Sequence, residues 1–361
     1  METTLSHDGN PDGAKGAGPV TLRDVAARAG VHPSTASRAL NARVHAGVNA
    51  ATIDRVRTAA VELGYRPNSL ARSLRTKRTY TIGMVVPDLT NPLFPPIARG
   101  IEDRLTEGGY TLILANTDDD AAREHSVIEA LTARRIDGLV LATARRSSTT
   151  VEEVSRSALP VVLVNRGSDD PGVSSVTGDD HAGIGLAVRH LAGLGHRRIA
   201  FVGGSTETPT GLARYQSFVS WMQSDDALEF DAELIAVASS FREETGAEAF
   251  VELLDRRVPF TAAVTGNDLI ALGCYDVARG RGLRVPDDFS IVGYNDLRFS
   301  DKFDPPLTTI RIPLYQVGVK AAELMVEAIG NPQATPVSLR LSPQLVVRGS
   351  TAPLPGPDDP A

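Results

Sequence analysis

Hydroxyl-bearing and basic side chains lie close together near the amino terminus of the chain. The stretch PSTASRAL (33–40) brings Ser34, Thr35, Ser37 and Arg38 together at the start of one predicted helix. Hydroxyl and guanidinium groups of this kind hydrogen bond to base edges and phosphates in the major groove of DNA. The same side chains suit a protein core poorly. The pattern therefore favours DNA recognition over a helix hairpin that packs only within the protein.

Two short helices joined by a tight turn must position these side chains. Apolar residues recur at helical spacing in TLRDVAARAG and again in PSTASRALN, and Gly30 separates the two runs. This order is typical of a helix-turn-helix. Thr21 is the predicted N-cap of the first helix, and Pro33 suits the first turn of the second. A third helix is predicted from its cap Asn49 to Gly64.

The charge of the chain is divided unevenly along its length. Residues 1–19 carry a balance of −2, residues 20–80 carry +8 and the rest carry −13, which together give the formal net charge of −7. Basic segments gain by displacing counterions condensed on nucleic acid, so the division fits a polyanion-binding head on an acidic body. On charge alone, a solvated basic face without a partner is the alternative.

Composition excludes several other classes of protein. The 361 residues are 42% hydrophobic and 22% charged, as in ordinary globular proteins, and the length predicts two or three domains. No apolar run reaches the roughly 18 residues that a membrane-spanning helix needs. Residues 1–19 lack the features of a secretory signal, and Cys274 is the only cysteine. We therefore expect a cytoplasmic protein.

The region after residue 80 alternates between predicted strands and helices, which indicates parallel sheets. The alternation restarts near residue 180, so the pattern predicts two similar α/β lobes. The expected organisation is a disordered tail (1–19), a helix-turn-helix domain (20–66), a hinge or linker (67–79), a two-lobed body (80–350, with lobe crossovers near 179 and 310) and a disordered tail (351–361).

Catalytic and metal-binding motifs are missing from the sequence. It has no G-x-S-x-G elbow, no P-loop and no H-E-x-x-H motif, and its seven histidines have no cysteine or carboxylate at metal-ligand spacing. Gly203, Gly204 and Ser205 after a predicted strand are a weak phosphate-binding cue that contact with another small ligand also explains. We expect no enzyme activity, no metal and no cofactor.

The sequence motifs resemble those of the lactose-repressor (LacI/GalR) family of bacterial transcription regulators. TLRDVAARAGVHPSTASRALN, ELGYRPN and LARSLRT match the head of that family, and IGMVVPDLTNPLF, HLAGLGHRRIAFVGG, AVTGNDLIALG, VPDDFSIVGYNDL and PPLTTIR match its body. The resemblance covers roughly residues 20–350. It implies an α-helical helix-turn-helix head and a hinge helix, joined to an α/β two-lobed body with the periplasmic-binding-protein fold.

The resemblance also assigns roles to residues of the head. Three of them are implied to face operator bases: Pro33, Ser34 and Arg38. Four are implied to hold phosphates: Thr21, Thr35, Ser37 and Asn49. Base contacts choose the sequence, whereas phosphate contacts fix the register. Helix capping also explains Thr21 and Asn49. The chain departs from the family at His32, where a capping serine is usual, and in RVHAGV, which lengthens a loop.

The segment SLARSLR resembles the hinge helix of the family, which is implied to become ordered on DNA and to pair with its copy in the minor groove. At the wedge position, Leu74 is implied to insert between base steps and to kink the duplex. An ordinary linker leucine is the alternative. Four further DNA contacts are implied in and beside this segment: Asn68, Ala71, Arg72 and Arg75.

The body is similar to sugar-binding proteins, whose ligands lie between two lobes at the carboxyl ends of strands. Arg214 matches the effector arginine of the family, and its five donors suit sugar hydroxyls or a carboxylate. The other implied effector contacts are Phe94, Asn165, Thr210, Phe241, Asn267, Asp268 and Asn295. A helix cap is the alternative role for Asp268. Asn165 and Asn295 stand where the family often has an acid, so the effector does not follow from a relative.

The resemblance thus predicts a homodimeric regulator, expected to be a repressor, that binds palindromic double-stranded operator DNA under the control of a sugar-like effector. Whether the effector induces or corepresses stays open. Dimerisation is expected through apolar stretches such as IALGCYDV and the region after PPLTTI, and the lack of leucine heptads after Val347 favours a dimer over a tetramer. A solute-binding receptor is the alternative function, and an enzyme acting on a sugar is a further, weaker one.

Overall fold

The computed structural model describes residues 20–40, 47–65, 78–146, 150–157, 159–168 and 172–354. The chain divides into two compact units, Met1–Lys77 and Arg78–Ala361. The predicted hinge contacts lie outside the described residues: Asn68, Ala71, Arg72, Leu74 and Arg75. The same holds for both predicted tails, apart from the four residues up to Leu354, and for most of RVHAGV.

Three helices make up the described part of the first unit: α1 (Leu22–Arg28), α2 (Pro33–Leu40) and α3 (Ala50–Glu62). Their apolar faces meet in a small core of alanine and valine side chains. Gly30 has a φ of +64° after α1, and the Val31 N–H donates to the Ala26 carbonyl at 3.0 Å. A glycine in this conformation ends a helix with its last carbonyls satisfied, so the chain turns directly into α2.

The predicted helix caps of this unit are confirmed. Thr21 and Asp24 form a capping box at the start of α1, in which the Thr21 N–H donates to Asp24 Oδ2 at 2.8 Å. These bonds lower the pKa of the Asp24 carboxyl. At the start of α3, Asn49 Oδ1 accepts the Thr52 N–H at 2.8 Å. Pro33 is the first residue of α2, where its missing N–H costs nothing.

The second unit alternates strands and helices. Its described strands are β1 (Thr81–Val86), β2 (Thr111–Asn116), β3 (Gly138–Leu141), β4 (Val161–Val164), β5 (Ser174–Gly178), β6 (Ile199–Gly203), β7 (Ile235–Val237), β8 (Ala262–Thr265), β9 (Ser290–Asn295), β10 (Thr308–Arg311), β11 (Ser338–Leu341) and β12 (Gln344–Val346). Its described α-helices are α4 (Phe94–Glu107), α5 (Ala121–Ala133), α6 (Thr150–Ser155), α7 (Asp180–Gly193), α8 (Pro209–Gln223), α9 (Glu243–Asp255), α10 (Asp268–Gly280) and α11 (Leu314–Gly330).

These strands form two six-stranded sheets, one in each lobe. The first has the order β11-β5-β4-β3-β1-β2 and the second β12-β10-β9-β8-β6-β7. All pairs are parallel except β10 with β12. The chain passes between lobes after β5, after β10 and again between β11 and β12. The sequence pattern did not predict the last of these passages, because β11 and β12 are short and carry polar residues.

Much of the stretches expected to form a dimer interface packs within the chain itself, and the interface stays a prediction. Within IALGCYDV, the side chains of Ile270, Ala271, Cys274 and Tyr275 are buried in the second lobe. Helix α11 packs tightly against α4, since a Cβ at Gly318 would lie 2.0 Å from the Ile97 carbonyl oxygen. The sequence pattern cannot separate a face that packs within one chain from a face that packs between two.

Candidate functional site

Helix α2 of the first unit presents two different faces. Ala36 and Ala39 are fully buried against the other helices, whereas Ser34 and Arg38, one turn apart, are exposed. Pro33, Thr35 and Ser37 are half-buried beside them. Alanines let the helices pack closely, while the exposed face carries polar side chains whose bonds are local: Arg38 Nε donates to the Ser34 carbonyl at 3.4 Å, and Ser34 Oγ lies 2.8 Å from His32 Nδ1. The geometry is that of a recognition helix with two or three side chains reaching outward.

The second unit contains a cavity of about 170 Å³ between its two lobes. A volume of this order admits a small ring-shaped molecule, since an engineered cavity of about 150 Å³ binds benzene. The loops that line the cavity follow β1, β2, β3 and β4 of the first lobe and β6, β7, β8 and β9 of the second. Parallel strands end at the same edge of each sheet, so their carboxyl ends face each other across the cleft.

Seven of the eight expected effector contacts line this cavity: Phe94, Asn165, Thr210, Arg214, Phe241, Asn267 and Asn295. Two of them also hold neighbouring parts of the site. The Thr210 hydroxyl donates to the backbone oxygen of Asn165 at 2.9 Å and so joins the two lobes. Asn267 caps α10 and donates from Nδ2 to the Phe241 carbonyl at 3.0 Å, which fixes the loop that carries the phenyl ring.

Arg214 is buried, and its guanidinium group is held on three sides. Nε donates to Asp180 Oδ1 at 2.8 Å, Nη1 donates to the Gly266 carbonyl at 2.6 Å, and the group lies 3.8 Å from the centroid of the Tyr294 ring. Nη2 approaches Asn295 Oδ1 at 3.5 Å. Of the five N–H donors, these contacts leave two for a ligand in the cavity. The planar group is thus fixed in orientation before a ligand binds.

Asn165 and Asn295 occupy unusual backbone positions at the ends of their strands. Their φ angles are +64° and +104°. Asparagine tolerates the left-handed region better than most residues because its short polar side chain bonds locally. Both amides therefore stand at sharp bends that turn them toward the cavity, where each offers a donor and an acceptor without a charge.

Asp268 does not line the cavity, so its expected effector role was wrong. Its carboxylate is fully buried and accepts bonds from Thr309 Oγ1 at 2.6 Å, the Leu297 N–H at 2.6 Å and Ser300 Oγ at 2.9 Å. Burial raises the pKa of Asp268 to about 6. The alternative role as a helix cap was also wrong, since Asn267 caps α10. Asp268 instead joins α10 to β10 and the loop after β9.

Charged residues of the first lobe that the sequence did not suggest also line the cavity. Arg145 and Arg166 lie 2.9 and 3.7 Å from Asp119 Oδ1. Behind them, the Thr143 hydroxyl donates to Glu124 Oε1 at 2.6 Å. Burial is the main cause that lowers the pKa of Arg166 and raises that of Glu124. Arg166 directly follows Asn165, and this position after a strand was the signal available in the sequence.

Gly204, which directly follows β6, packs against an aromatic wall of the cleft. A Cβ at Gly204 would lie 2.4 Å from the ring of Phe241. A close ring contact accounts for this glycine without a phosphate. The described ranges contain no group of His, Cys, Asp and Glu side chains that could hold a metal ion. Among the same residues, no helix is long and apolar enough to span a bilayer.

A helix-turn-helix with an exposed polar face and a two-lobed body with a polar cleft together define a ligand-responsive DNA-binding regulator. Comparison with known proteins gives the particular family. The family model "Bacterial regulatory proteins, lacI family" matches residues 21–68, and "Periplasmic binding proteins and sugar binding domain of LacI family" matches residues 79–347. The chain belongs to the LacI family of bacterial regulators, and the predicted fold class is confirmed.

Individual relatives match along almost the whole chain. Catabolite control protein A of Priestia megaterium is 32% identical over 332 residues, which are 92% of this chain and 99% of that protein. The solved complex of the transcriptional regulator CelR with cellobiose has a TM-score of 0.71 at 31% identity and covers 92% and 99% of the two chains. The lac repressor dimer bound to operator and the anti-inducer ONPF has a TM-score of 0.80 at 26% identity, covering 93% and 100%. None of the three is named as an enzyme.

Proposed function

We propose that this protein is a transcriptional repressor whose affinity for a palindromic operator is set by a small sugar or sugar derivative bound in the cleft. The observation that carries the proposal is the fixed guanidinium group of Arg214 in a cavity shared by both lobes. The relatives support it, because they include a regulator with cellobiose and a repressor with operator DNA. A solute-binding receptor without a DNA-binding head does not fit the match at residues 21–68.

On the DNA side, Ser34 and Arg38 read bases, and Pro33 shapes the start of the reading helix. Thr21, Thr35, Ser37 and Asn49 hold phosphates, a role that is compatible with the caps that Thr21 and Asn49 form. The segment that includes Asn68, Ala71, Arg72, Leu74 and Arg75 supplies minor-groove contacts. Its leucine wedges between base steps.

On the effector side, the neutral amides of Asn165 and Asn295 suit the hydroxyls of a sugar, since each group both donates and accepts. Arg214 supplies directed donors. Contacts from both lobes to one ligand favour the closed arrangement of the lobes, and that arrangement sets operator affinity. Such coupling between two sites is usually about 1–3 kcal/mol, or about 5–150-fold in affinity.

A second copy of the chain is the partner. The outer strand β2 of the first sheet exposes Ile113 and Leu114 by 37% and 42%. In natural proteins, a sheet edge that exposes apolar side chains is usually covered by another part of the structure or by a partner. A palindromic operator has two-fold symmetry, which a dimer formed at this edge matches. The apolar edge is thus the dimer surface that the buried stretch IALGCYDV does not provide.

Selection of duplexes from a randomised DNA pool at two salt concentrations tests the proposal. The selected duplexes are then challenged with a library of monosaccharides and disaccharides. We expect a palindromic consensus whose binding one sugar changes by about 5–150-fold. Arg38→Ala relaxes the consensus at one position of each half-site, whereas Ser37→Ala, the matched control, weakens all sequences alike. Binding that depends only on salt and never on sequence contradicts the proposal.

A further inference from the structure

His32 directly precedes the recognition helix, and its imidazole contacts Ser34 twice. The backbone N–H of Ser34 donates to Nδ1 of His32 at 3.3 Å, and Oγ of Ser34 lies 2.8 Å from the same nitrogen. A nitrogen that accepts from a backbone N–H carries no proton of its own. Nδ1 therefore acts as an acceptor, and the ring carries its proton on Nε2.

This tautomer determines the direction of the second bond. Since Nδ1 has no hydrogen, the Ser34 hydroxyl is the donor in the 2.8 Å contact. A serine hydroxyl has one hydrogen and two lone pairs. With its hydrogen directed to His32, Oγ has only lone pairs left to offer another molecule. Both side chains are exposed, so the pair lies on the face of α2 that is open to DNA.

We propose that His32 makes Ser34 an acceptor-only reader of the operator, so that the base facing Ser34 is a cytosine or an adenine. This inference rests on the proposed function. In the major groove, cytosine and adenine present exocyclic amino donors, whereas guanine O6 and thymine O4 are acceptors. An unrestrained serine bonds to either kind of group. The imidazole therefore adds a preference that the serine alone does not have.

The size of the preference follows from one hydrogen bond. A net contribution of about 1 kcal/mol corresponds to about fivefold in affinity, and an acceptor facing an acceptor adds to the difference. We expect the amino-bearing bases to be favoured about fivefold to tenfold at one position in each half-site.

The test compares operators selected from a randomised duplex pool by the full-length wild type and three variants. Ser34→Ala identifies the position, because the preference there disappears. His32→Ala releases the hydroxyl hydrogen, so Ser34 then accepts all four bases more evenly. His32→Asn keeps an acceptor at the helix cap, and the amino-base preference persists. Ser37→Ala is the control, which lowers affinity without changing this position.

The outcomes separate the inference from the function on which it rests. Even selection of all four base pairs at the Ser34 position by the wild type overturns the inference, and so does an unchanged preference there in His32→Ala. In both cases a consensus at the other positions still exists and the proposed function stands. If the wild type selects no consensus, the proposed function fails and the inference fails with it. His32→Asn keeps a capping side chain before α2, and Ser34→Ala keeps His32. These two variants can therefore still be compared if His32→Ala folds poorly.

Discussion

Arg242 and Asp88 form an ion pair of 3.2 Å across the mouth of the cleft, and the two residues belong to different lobes. Asp88 follows β1, and Arg242 directly precedes α9. Both residues line the cavity. Like the bond from Thr210 to Asn165, the pair joins the two lobes without the help of a ligand.

Loss of this ion pair should weaken effector binding slightly. The Arg242 side chain is 52% exposed and that of Asp88 19%, so solvent screening limits the pair to less than about 1 kcal/mol. We expect Arg242→Ala to raise the effector Kd about twofold to fivefold at low salt, with less effect at high salt. Isothermal titration calorimetry measures the effector Kd at low and at high salt. Arg284→Ala, which removes an exposed pair within one lobe, is the control, and equal effector affinity in Arg242→Ala would refute the role.

Effector binding should require the planar guanidinium group of Arg214 and not only its positive charge. Lysine cannot donate to Asp180 and to the Gly266 carbonyl while it also offers two directed donors to a ligand. We expect Arg214→Lys to lower effector affinity by about 2–4 kcal/mol, or about 30- to 1,000-fold, with operator affinity in the absence of effector retained. Thermal shift and calorimetry check this. Wild-type effector affinity in Arg214→Lys would remove Arg214 from the site.

Several of the residues that were predicted for the cleft stand at or just after the carboxyl ends of buried strands. Asn165, Asn267 and Asn295 are of this kind, and strand ends are visible in a sequence. Asp268 was misplaced because one further residue on a helix turns a side chain by about 100°, here from the cleft into the core. Asp119 and Arg145 were missed because a charged loop residue usually faces solvent, and only the fold brings these two together.

Removing the acceptor at Asp268 should destabilise the second lobe. Asp268→Ala leaves the Leu297 N–H and two buried hydroxyls without their acceptor, at a cost of about 2–4 kcal/mol in the free energy of unfolding. Asp268→Asn keeps the acceptor for Leu297, and the Thr309 hydroxyl is able to reverse its direction. We expect this variant to lose much less stability. Urea denaturation measures both, and equal losses would contradict the assignment.

The contribution of Asp268 to the free energy of unfolding should depend on pH with a defined sign. The pKa of Asp268 is raised to about 6 in the folded protein, above its ordinary value of 3.8. Its contribution to stability is therefore present in full below about pH 4 and is lost as the pH rises through 6. The difference in unfolding free energy between wild type and Asp268→Asn should fall over this range. A difference that rises with pH would mean that burial does not dominate.

His196 should make the second lobe sensitive to acid. Its Nε2 donates to the Ala352 carbonyl at 3.1 Å and its Nδ1 accepts from Thr261 Oγ1 at 2.9 Å. Burial lowers the pKa of His196 and also that of His190 below the ordinary 6.5. Because the unfolded chain binds these protons more tightly, stability is full above about pH 6.5 and falls as the pH decreases. Urea denaturation from about pH 7 to about pH 5 measures the fall, and His196→Gln should reduce it. An unchanged slope in that variant would contradict the assignment.

The outer strand β2 should control the oligomeric state. Ile113→Lys places a charge on the exposed apolar edge, so we expect monomers at micromolar concentration and a large loss of operator affinity. Val347→Lys changes an exposed valine on another surface and should leave the dimer intact. Light scattering measures the mass of both variants. A dimeric Ile113→Lys protein would move the interface elsewhere.

We expect the cleft and the DNA-binding head to be energetically coupled. Operator affinity is measured by fluorescence anisotropy with and without the sugar found in the library screen, and the affinity for that sugar is measured with and without operator. Thermodynamic linkage requires the same factor from both directions, which we expect to be about 5–150-fold. Arg214→Lys should abolish the factor while operator binding persists. If a sugar that occupies the cleft leaves operator affinity unchanged, the cleft and the head are not coupled.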